Sequence, residues 1–184
     1  MWCWIWIWPC ADGCSSPEKG SLSRSLPATL EAASLQPVQR HPASKRLVIG
    51  IGNPLRGDDG VGALLAEQAA VQTAARCVQQ LTPELAAELA PLDAVLFIDA
   101  WQAPEGAQPQ LQPLSPAGAN GDSHWLEPAA LLAVCQVLYG RAPAAQLLLV
   151  PATALAHGTA LSARLQQVLP AARTLLHQWL HGHA

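Results

Sequence analysis

From Lys45 onward, apolar residues follow two alternating patterns. Short continuous apolar runs, such as the one within DAVLFIDA at 93–100, are typical of strands buried on both faces of a sheet. Between these runs, apolar residues recur every three or four positions, as they do on one side of a helix. The alternation predicts strands at 46–52, 77–81, 93–100, 110–114 and 145–150, and helices at 59–75, from about 82, at 127–139 and at 161–180.

The order of these elements predicts the fold class. Strands separated by helices favour a parallel sheet that is covered on both faces. We therefore expect an α/β protein with three layers, α/β/α, around a mostly parallel twisted sheet of about five strands, with 110–114 at an edge. Right-handed crossovers place the carboxyl ends of the strands, and the loops that follow them, along one side of that sheet.

Residues 1–44 do not share this alternation. They open with MWCWIWIWPC and continue with a stretch rich in Ser, Pro and Ala. The segment lacks the positive region and the longer apolar core of a signal peptide. We interpret 1–44 as a poorly ordered extension, which an upstream start codon could have added, and 45–184 as one folded domain. Alternatively, the four tryptophans make it a tag for a membrane interface or a partner.

The composition excludes several kinds of partner. The net charge is −3, and the ten Lys and Arg residues are scattered, so no basic face for nucleic acid is expected. No apolar run reaches the roughly 18–20 residues that span a bilayer, so we expect no stable membrane association. The five cysteines show no C-x-x-C spacing, and we interpret them as free thiols of a monomeric cytoplasmic protein.

The stretch from Arg46 to Gly62, RLVIGIGNPLRGDDGVG, joins a strand to a helix through a glycine-rich turn. The glycines at 50 and 52 suggest a dinucleotide site, but the third glycine of that fingerprint is replaced by Leu55. The two acids at 58 and 59 would also repel a pyrophosphate at the helix N-terminus. A nucleotide is therefore disfavoured. The glycines of this stretch instead suggest that another group approaches the backbone closely.

The adjacent acids Asp58 and Asp59 are expected to play different roles. Carboxylates at a helix N-terminus are common caps. Neighbouring helical residues point about 100° apart, so the two cannot share one proton as an aspartic-protease dyad does. We predict that Asp58 caps the helix or pairs with Arg56, and that Asp59 is functional.

Two further side chains are expected at the same side of the sheet as Asp59. Asp99 ends a strongly apolar strand, where a buried carboxylate needs a partner. His124 lies in the turn-rich stretch NGDSH. Since all three follow strands, they predict a metal site with oxygen and nitrogen ligands. The sequence has no G-x-S-x-G motif and no cysteine context typical of a thiol hydrolase.

The motif G-x-G-N-x-L-x-x-D-D-G-x-G at 50–62 resembles the signature of the hydrogenase maturation endopeptidases. The resemblance runs from Arg46 to the C-terminus, through QLTPELA at 80–86, VLFIDA at 95–100 and SHWLEPAALL at 123–132. It implies an α/β/α peptidase that removes a short C-terminal extension from the large-subunit precursor of a nickel–iron hydrogenase after nickel insertion. The family's metal-contacting positions correspond here to Asp59, Asp99 and His124.

The same resemblance implies that the nickel is presented by the precursor rather than bound permanently, and that Asp59 and Asp99 are catalytic in a nominally aspartic-type enzyme. Two positions depart from the family pattern. The turn after the second strand reads Leu-Thr-Pro-Glu at 81–84 in place of Gly-Thr, and Trp125 stands where close relatives often have a second histidine. A non-catalytic, metal-sensing chaperone of hydrogenase assembly is the alternative.

Overall fold

The computed structural model describes residues 45–118 and 126–182. It contains a five-stranded sheet in the order β2-β1-β3-β5-β4. The first four strands of that order are parallel, and β4 runs antiparallel to β5 at the edge. The strands are β1 (Arg46–Ile51), β2 (Ala74–Val78), β3 (Ala94–Gln102), β4 (Gln110–Leu114) and β5 (Ala144–Ala152).

Helices cover both faces of the sheet because successive residues of the central strands point to opposite sides. Val48 and Leu96 face one apolar cluster with the first and last helices, whereas Ile49 and Phe97 face a second cluster with the two middle helices. The three-layer α/β fold is thus confirmed. The helices are α1 (Val61–Ala69), α2 (Leu85–Leu89), α3 (Pro128–Tyr139) and α4 (Ala163–Leu180).

The prediction for the first helix and the second strand was wrong in its boundaries. The segment begins with a 3₁₀ turn, Gly57–Gly60, and α1 ends at Ala69 rather than near residue 75. Val71, which the helical pattern included, is 87% exposed. β2 begins at Ala74, three residues earlier than predicted, because its backbone pairs with β1. As a largely exposed edge strand, β2 has no apolar run to mark it.

Most other elements match the predicted pattern, but β3 continues to Gln102, so Asp99 lies within the strand rather than at its end, and α2 begins at Leu85, three residues later than predicted. The edge strand β4 has the predicted bounds, and α3 and α4 each begin one or two residues later than predicted. The start of α4 is defined by Ser162, whose hydroxyl accepts a hydrogen bond from the backbone N–H of Leu165. Among the helices described, none is both long and apolar enough to cross a membrane. The predictions for the extension 1–44 lie outside the described residues.

Candidate active site

Two of the three predicted site residues line one cavity at the carboxyl end of the sheet. β1 and β3 are neighbours, and Gly50 lies opposite Ile98, the residue before Asp99. The 3₁₀ turn that follows β1 carries Asp59 to the same place. Asp59 and Asp99 both line a cavity of about 300 Å³. The topology therefore brings these carboxylates together, as the sequence predicted.

The remaining cavity wall is mixed in character. Polar side chains come from Arg56, from Gln79 and Gln80 after β2, and from Glu127 before α3, while Leu126 supplies apolar surface. His124 lies outside the described residues, so its place in the site stays a prediction. Within the described residues, no group of three His, Cys, Asp or Glu side chains is arranged to hold a metal. The described wall thus carries three carboxylates, Asp59, Asp99 and Glu127, which are not arranged as a ready metal site.

The electrostatic environment of Asp99 differs from that of a surface carboxyl group. Burial raises its pKa from 3.8 to about 6; a backbone hydrogen bond from Ala100 opposes this rise, and the charge of Asp59 adds to it. A carboxyl group with that pKa exchanges its proton near neutral pH. It can therefore hold or release a proton during a reaction.

Asp59 is oriented by the glycine-rich loop. Its Oδ2 accepts a hydrogen bond from the backbone N–H of Asn53 at 2.9 Å. The Asn53 side chain in turn accepts one from the N–H of Leu55 at 2.9 Å, which closes the loop locally. Among the described residues, the other oxygen of Asp59 makes no hydrogen bond. The loop backbone therefore holds one oxygen of Asp59.

The predicted partners of Asp58 were wrong, although its structural role is clear. Asp58 is fully buried, and its side chain neither caps the 3₁₀ turn nor pairs with Arg56. It binds the segment between β5 and α4 instead. Its Oδ1 accepts from the N–H of Ser162 (2.7 Å), and its Oδ2 accepts from the N–H of Thr153 (2.9 Å), the N–H of Ala154 (3.0 Å) and the hydroxyl of Ser162 (2.7 Å).

These hydrogen bonds lower the pKa of Asp58. Burial alone would raise its pKa, but the N–H groups of Thr153, Ser162 and Ala154 and the Ser162 hydroxyl outweigh burial, and the pKa lies below its ordinary value. Sequence analysis missed Thr153 and Ser162. Ser162 can be recognised from the sequence as a helix cap, but nothing local links it to an acid 104 positions earlier.

The glycines of the loop serve the fold rather than an incoming ligand. A Cβ atom on Gly50 would lie 2.0 Å from the carbonyl oxygen of Gly62, and one on Gly52 would lie 2.0 Å from that of Asp59. Gly52 also has φ of +125°, which favours glycine. The group that approaches these glycines is therefore the chain's own backbone, where α1 packs on the ends of β1 and β3.

Replacing Gly62 with Ala should destabilise the protein. The new Cβ would lie 2.2 Å from the carbonyl oxygen of Ile51 and 2.8 Å from that of Ile98, so α1 would have to move away from the sheet. We expect the free energy of unfolding, measured by urea denaturation, to fall by about 2 kcal/mol or more. Gly118→Ala is the control, because no atom lies within 4 Å of the Cβ position at Gly118. Equal stability of the two variants would contradict the packing argument.

No protein-family model and no curated protein matches this sequence. Solved structures do. The maturation protease HycI from Thermococcus kodakarensis KOD1 superposes with a TM-score of 0.58 at 19% identity, over 76% of this chain and 92% of that one. The chain has the fold of the hydrogenase maturation proteases.

Two further solved structures share this fold. The hydrogenase maturating endopeptidase HybD from E. coli superposes with a TM-score of 0.58 at 17% identity, covering 75% of this chain and 93% of that one. The hydrogenase 2 maturation peptidase from a Thaumarchaeota archaeon gives 0.54 at 23% identity, covering 76% and 99%. The resemblance stated from the sequence is thus confirmed at the level of the fold, over about three quarters of the chain, whereas identities this low do not carry over activity or residue roles.

Proposed function

We propose that this protein is an endopeptidase that removes the C-terminal extension from the large-subunit precursor of a nickel–iron hydrogenase. The supporting observation is the acid pair, Asp59 and Asp99, in one cavity at the carboxyl end of the sheet. The fold is that of maturation proteases, and the loop motif at 50–62 resembles theirs. The proposal includes action in the cytoplasm as a monomer.

In this proposal the metal belongs to the substrate. Asp59, Asp99 and His124 complete the coordination of a nickel ion that the precursor's own cysteines hold. A precursor without nickel then lacks the group that the acids recognise, so it is rejected. Carboxylate and imidazole ligands suit such a borderline divalent ion. In this proposal Asp59 and Asp99, which line one cavity, supply the carboxylate ligands.

Cleavage of the peptide bond requires a water nucleophile and a group that takes its proton. An acid of the pair that does not hold the ion can accept that proton. The nickel ion of the substrate would also promote cleavage, because a bound metal polarises a carbonyl group and lowers the pKa of water. A non-catalytic chaperone would bind the loaded precursor without cleaving it.

The proposal predicts cleavage of the metal-loaded precursor only. The purified protein is incubated with nickel-loaded and with nickel-free precursor, and intact masses are measured. We expect the loaded precursor to lose the mass of its C-terminal extension and the nickel-free form to stay unchanged. Binding of the loaded form without a mass change would support the chaperone instead. Cleavage of both forms would contradict recognition of the metal.

A further inference from the structure

The last turn of α4 carries two exposed histidines that face each other. The Nε2 atoms of His177 and His181 lie 2.9 Å apart, and their ring centroids lie 4.0 Å apart. Residues four apart on a helix share one face, which explains the contact. Neither side chain belongs to the acid-lined cavity. The pair is therefore a second cluster of ligand-type side chains.

The separation of the two nitrogens suits chelation of one ion. Metal–imidazole bonds are about 2.0–2.1 Å long, so two nitrogens 2.9 Å apart subtend roughly 90° at a shared metal. A tetrahedral angle would require a separation of roughly 3.3 Å at the same bond length. An angle near 90° corresponds to neighbouring positions of an octahedral or square-planar ion, the geometries typical of Ni²⁺ and Cu²⁺.

The rest of the turn supports a cation at this place. Both rings lie at the C-terminal end of α4, where the helix carries partial negative charge. Arg173, one turn earlier, donates to the side chain of Gln68 on α1, and the Arg46 guanidinium lies on the core side of the turn. The donors that a cation would meet on the outer face of this turn are therefore the two imidazoles.

The backbone of this turn is held in place from the side of the core. Trp179 is 3% exposed, and the guanidinium of Arg46 lies over its ring at 4.0 Å. That guanidinium also donates to the carbonyl oxygens of Trp179 and Leu180. Because the helix end is anchored by β1, the two rings on its outer face start from a fixed backbone. Such preorganisation lowers the entropy lost when a ligand binds.

We propose that His177 and His181 together bind one divalent transition-metal ion through their Nε2 atoms. Each ring then keeps its proton on Nδ1, and water fills the other coordination positions. Without metal, the two rings form a hydrogen bond with each other. This site is separate from the acid pair and independent of the proposed peptidase activity.

The test is calorimetric titration of the full-length protein with Ni²⁺. We expect a Ni²⁺ binding event that weakens about a hundredfold in His177→Gln and in His181→Gln, because the second ligand acts at high effective concentration. His157→Gln, which changes another exposed histidine, should keep the event. Asp99→Asn should keep it too, which separates this site from the proposed active site.

A spectroscopic measurement provides the second readout. With one equivalent of Cu²⁺, electron paramagnetic resonance should show coupling to two imidazole nitrogens in the wild type and to one in each single variant. Since both histidines are exposed, the variants are expected to fold, and circular dichroism checks this. Titrations and spectra that are the same in the wild type and in both histidine variants would overturn the proposal. Absence of any Ni²⁺ binding would overturn it as well.

Discussion

Replacing Asp99 with Asn is expected to make the protein more stable at pH 8 while it abolishes processing. Burial raises the pKa of Asp99 from 3.8 to about 6. The ionised carboxylate therefore lowers the free energy of unfolding at pH 8. About two pKa units correspond to about 3 kcal/mol. Asn has nearly the same shape and no charge. The free energy of unfolding should therefore rise by up to about 3 kcal/mol.

The sign of this effect depends on pH. In the unfolded chain, Asp99 ionises near its ordinary pKa, whereas in the fold it ionises near 6. The folded state therefore binds the proton more tightly, and the wild type loses stability as the pH rises from about 4 to 6. Above pH 6 the loss is constant. Urea denaturation at pH 4 and pH 8 should show a small difference between variant and wild type at pH 4 and a large one at pH 8.

Asp93→Asn is the matched control for this prediction. Asp93 lies just before β3, at the opposite end of the strand that carries Asp99, and it is exposed. Its replacement should leave processing unchanged. An Asp99→Asn protein that is less stable than the wild type at pH 8 would contradict the account of a charge buried at a cost.

Replacing Asp58 with Ala is expected to cause the largest loss of stability. The Asp58 carboxylate accepts four hydrogen bonds from Thr153, Ala154 and Ser162, and the substitution leaves these donors unpaired next to a void. An unsatisfied buried group costs about 1–3 kcal/mol. Because the four bonds are not additive, we expect the free energy of unfolding to fall by about 4 kcal/mol, with a lower melting temperature.

Two variants test this assignment more finely. In Asp58→Asn one of the two acceptor oxygens becomes an NH₂ group that faces N–H donors, so the variant should also be destabilised. Ser162→Ala removes the hydroxyl but keeps three backbone donors, and a smaller loss of about 1 kcal/mol is expected. If Asp58→Ala unfolds at the same urea concentration as the wild type, the network does not stabilise the loop as argued.

The pH dependence of the Asp58 network has the opposite sign to that of Asp99. The pKa of Asp58 is held below its ordinary value by its donors, despite burial. The stabilisation is therefore complete above the unfolded pKa, near 4, and is lost as the pH falls through the lower folded pKa. The difference in stability between the wild type and Asp58→Asn should accordingly shrink below pH 4.

The sequence predicted the sheet best where burial imposes a pattern. β3 and β5 are buried on both faces and appear as continuous apolar runs. β2, with the sequence AARCV, is an exposed edge strand. It forms by pairing with β1, which is distant in the sequence, so its local pattern of residues does not predict it. The same reason explains the helix that was predicted too long. Apolar spacing continued past Ala69, but backbone pairing of the next segment ended the helix.

In the candidate site, too, features that follow from the order of the strands could be predicted, whereas long-range contacts could not. Asp59 and Asp99 were predicted at one side of the sheet because parallel strand ends converge there, and the structure places both in one cavity. The partners of Asp58 come from residues 95 to 104 positions away and could not be predicted from spacing. The glycines were correctly associated with close approach, but the approaching atoms belong to the backbone of α1 and its preceding turn.

The central claim is that the acid pair of Asp59 and Asp99 carries out metal-dependent cleavage. The most direct test is the intact mass of a nickel-loaded hydrogenase precursor after incubation with the wild type, Asp59→Asn, Asp99→Asn or the control Asp93→Asn. The account predicts loss of the C-terminal extension with the wild type and the control, and an unchanged mass with the two site variants. Normal cleavage by folded Asp59→Asn and Asp99→Asn proteins would contradict it.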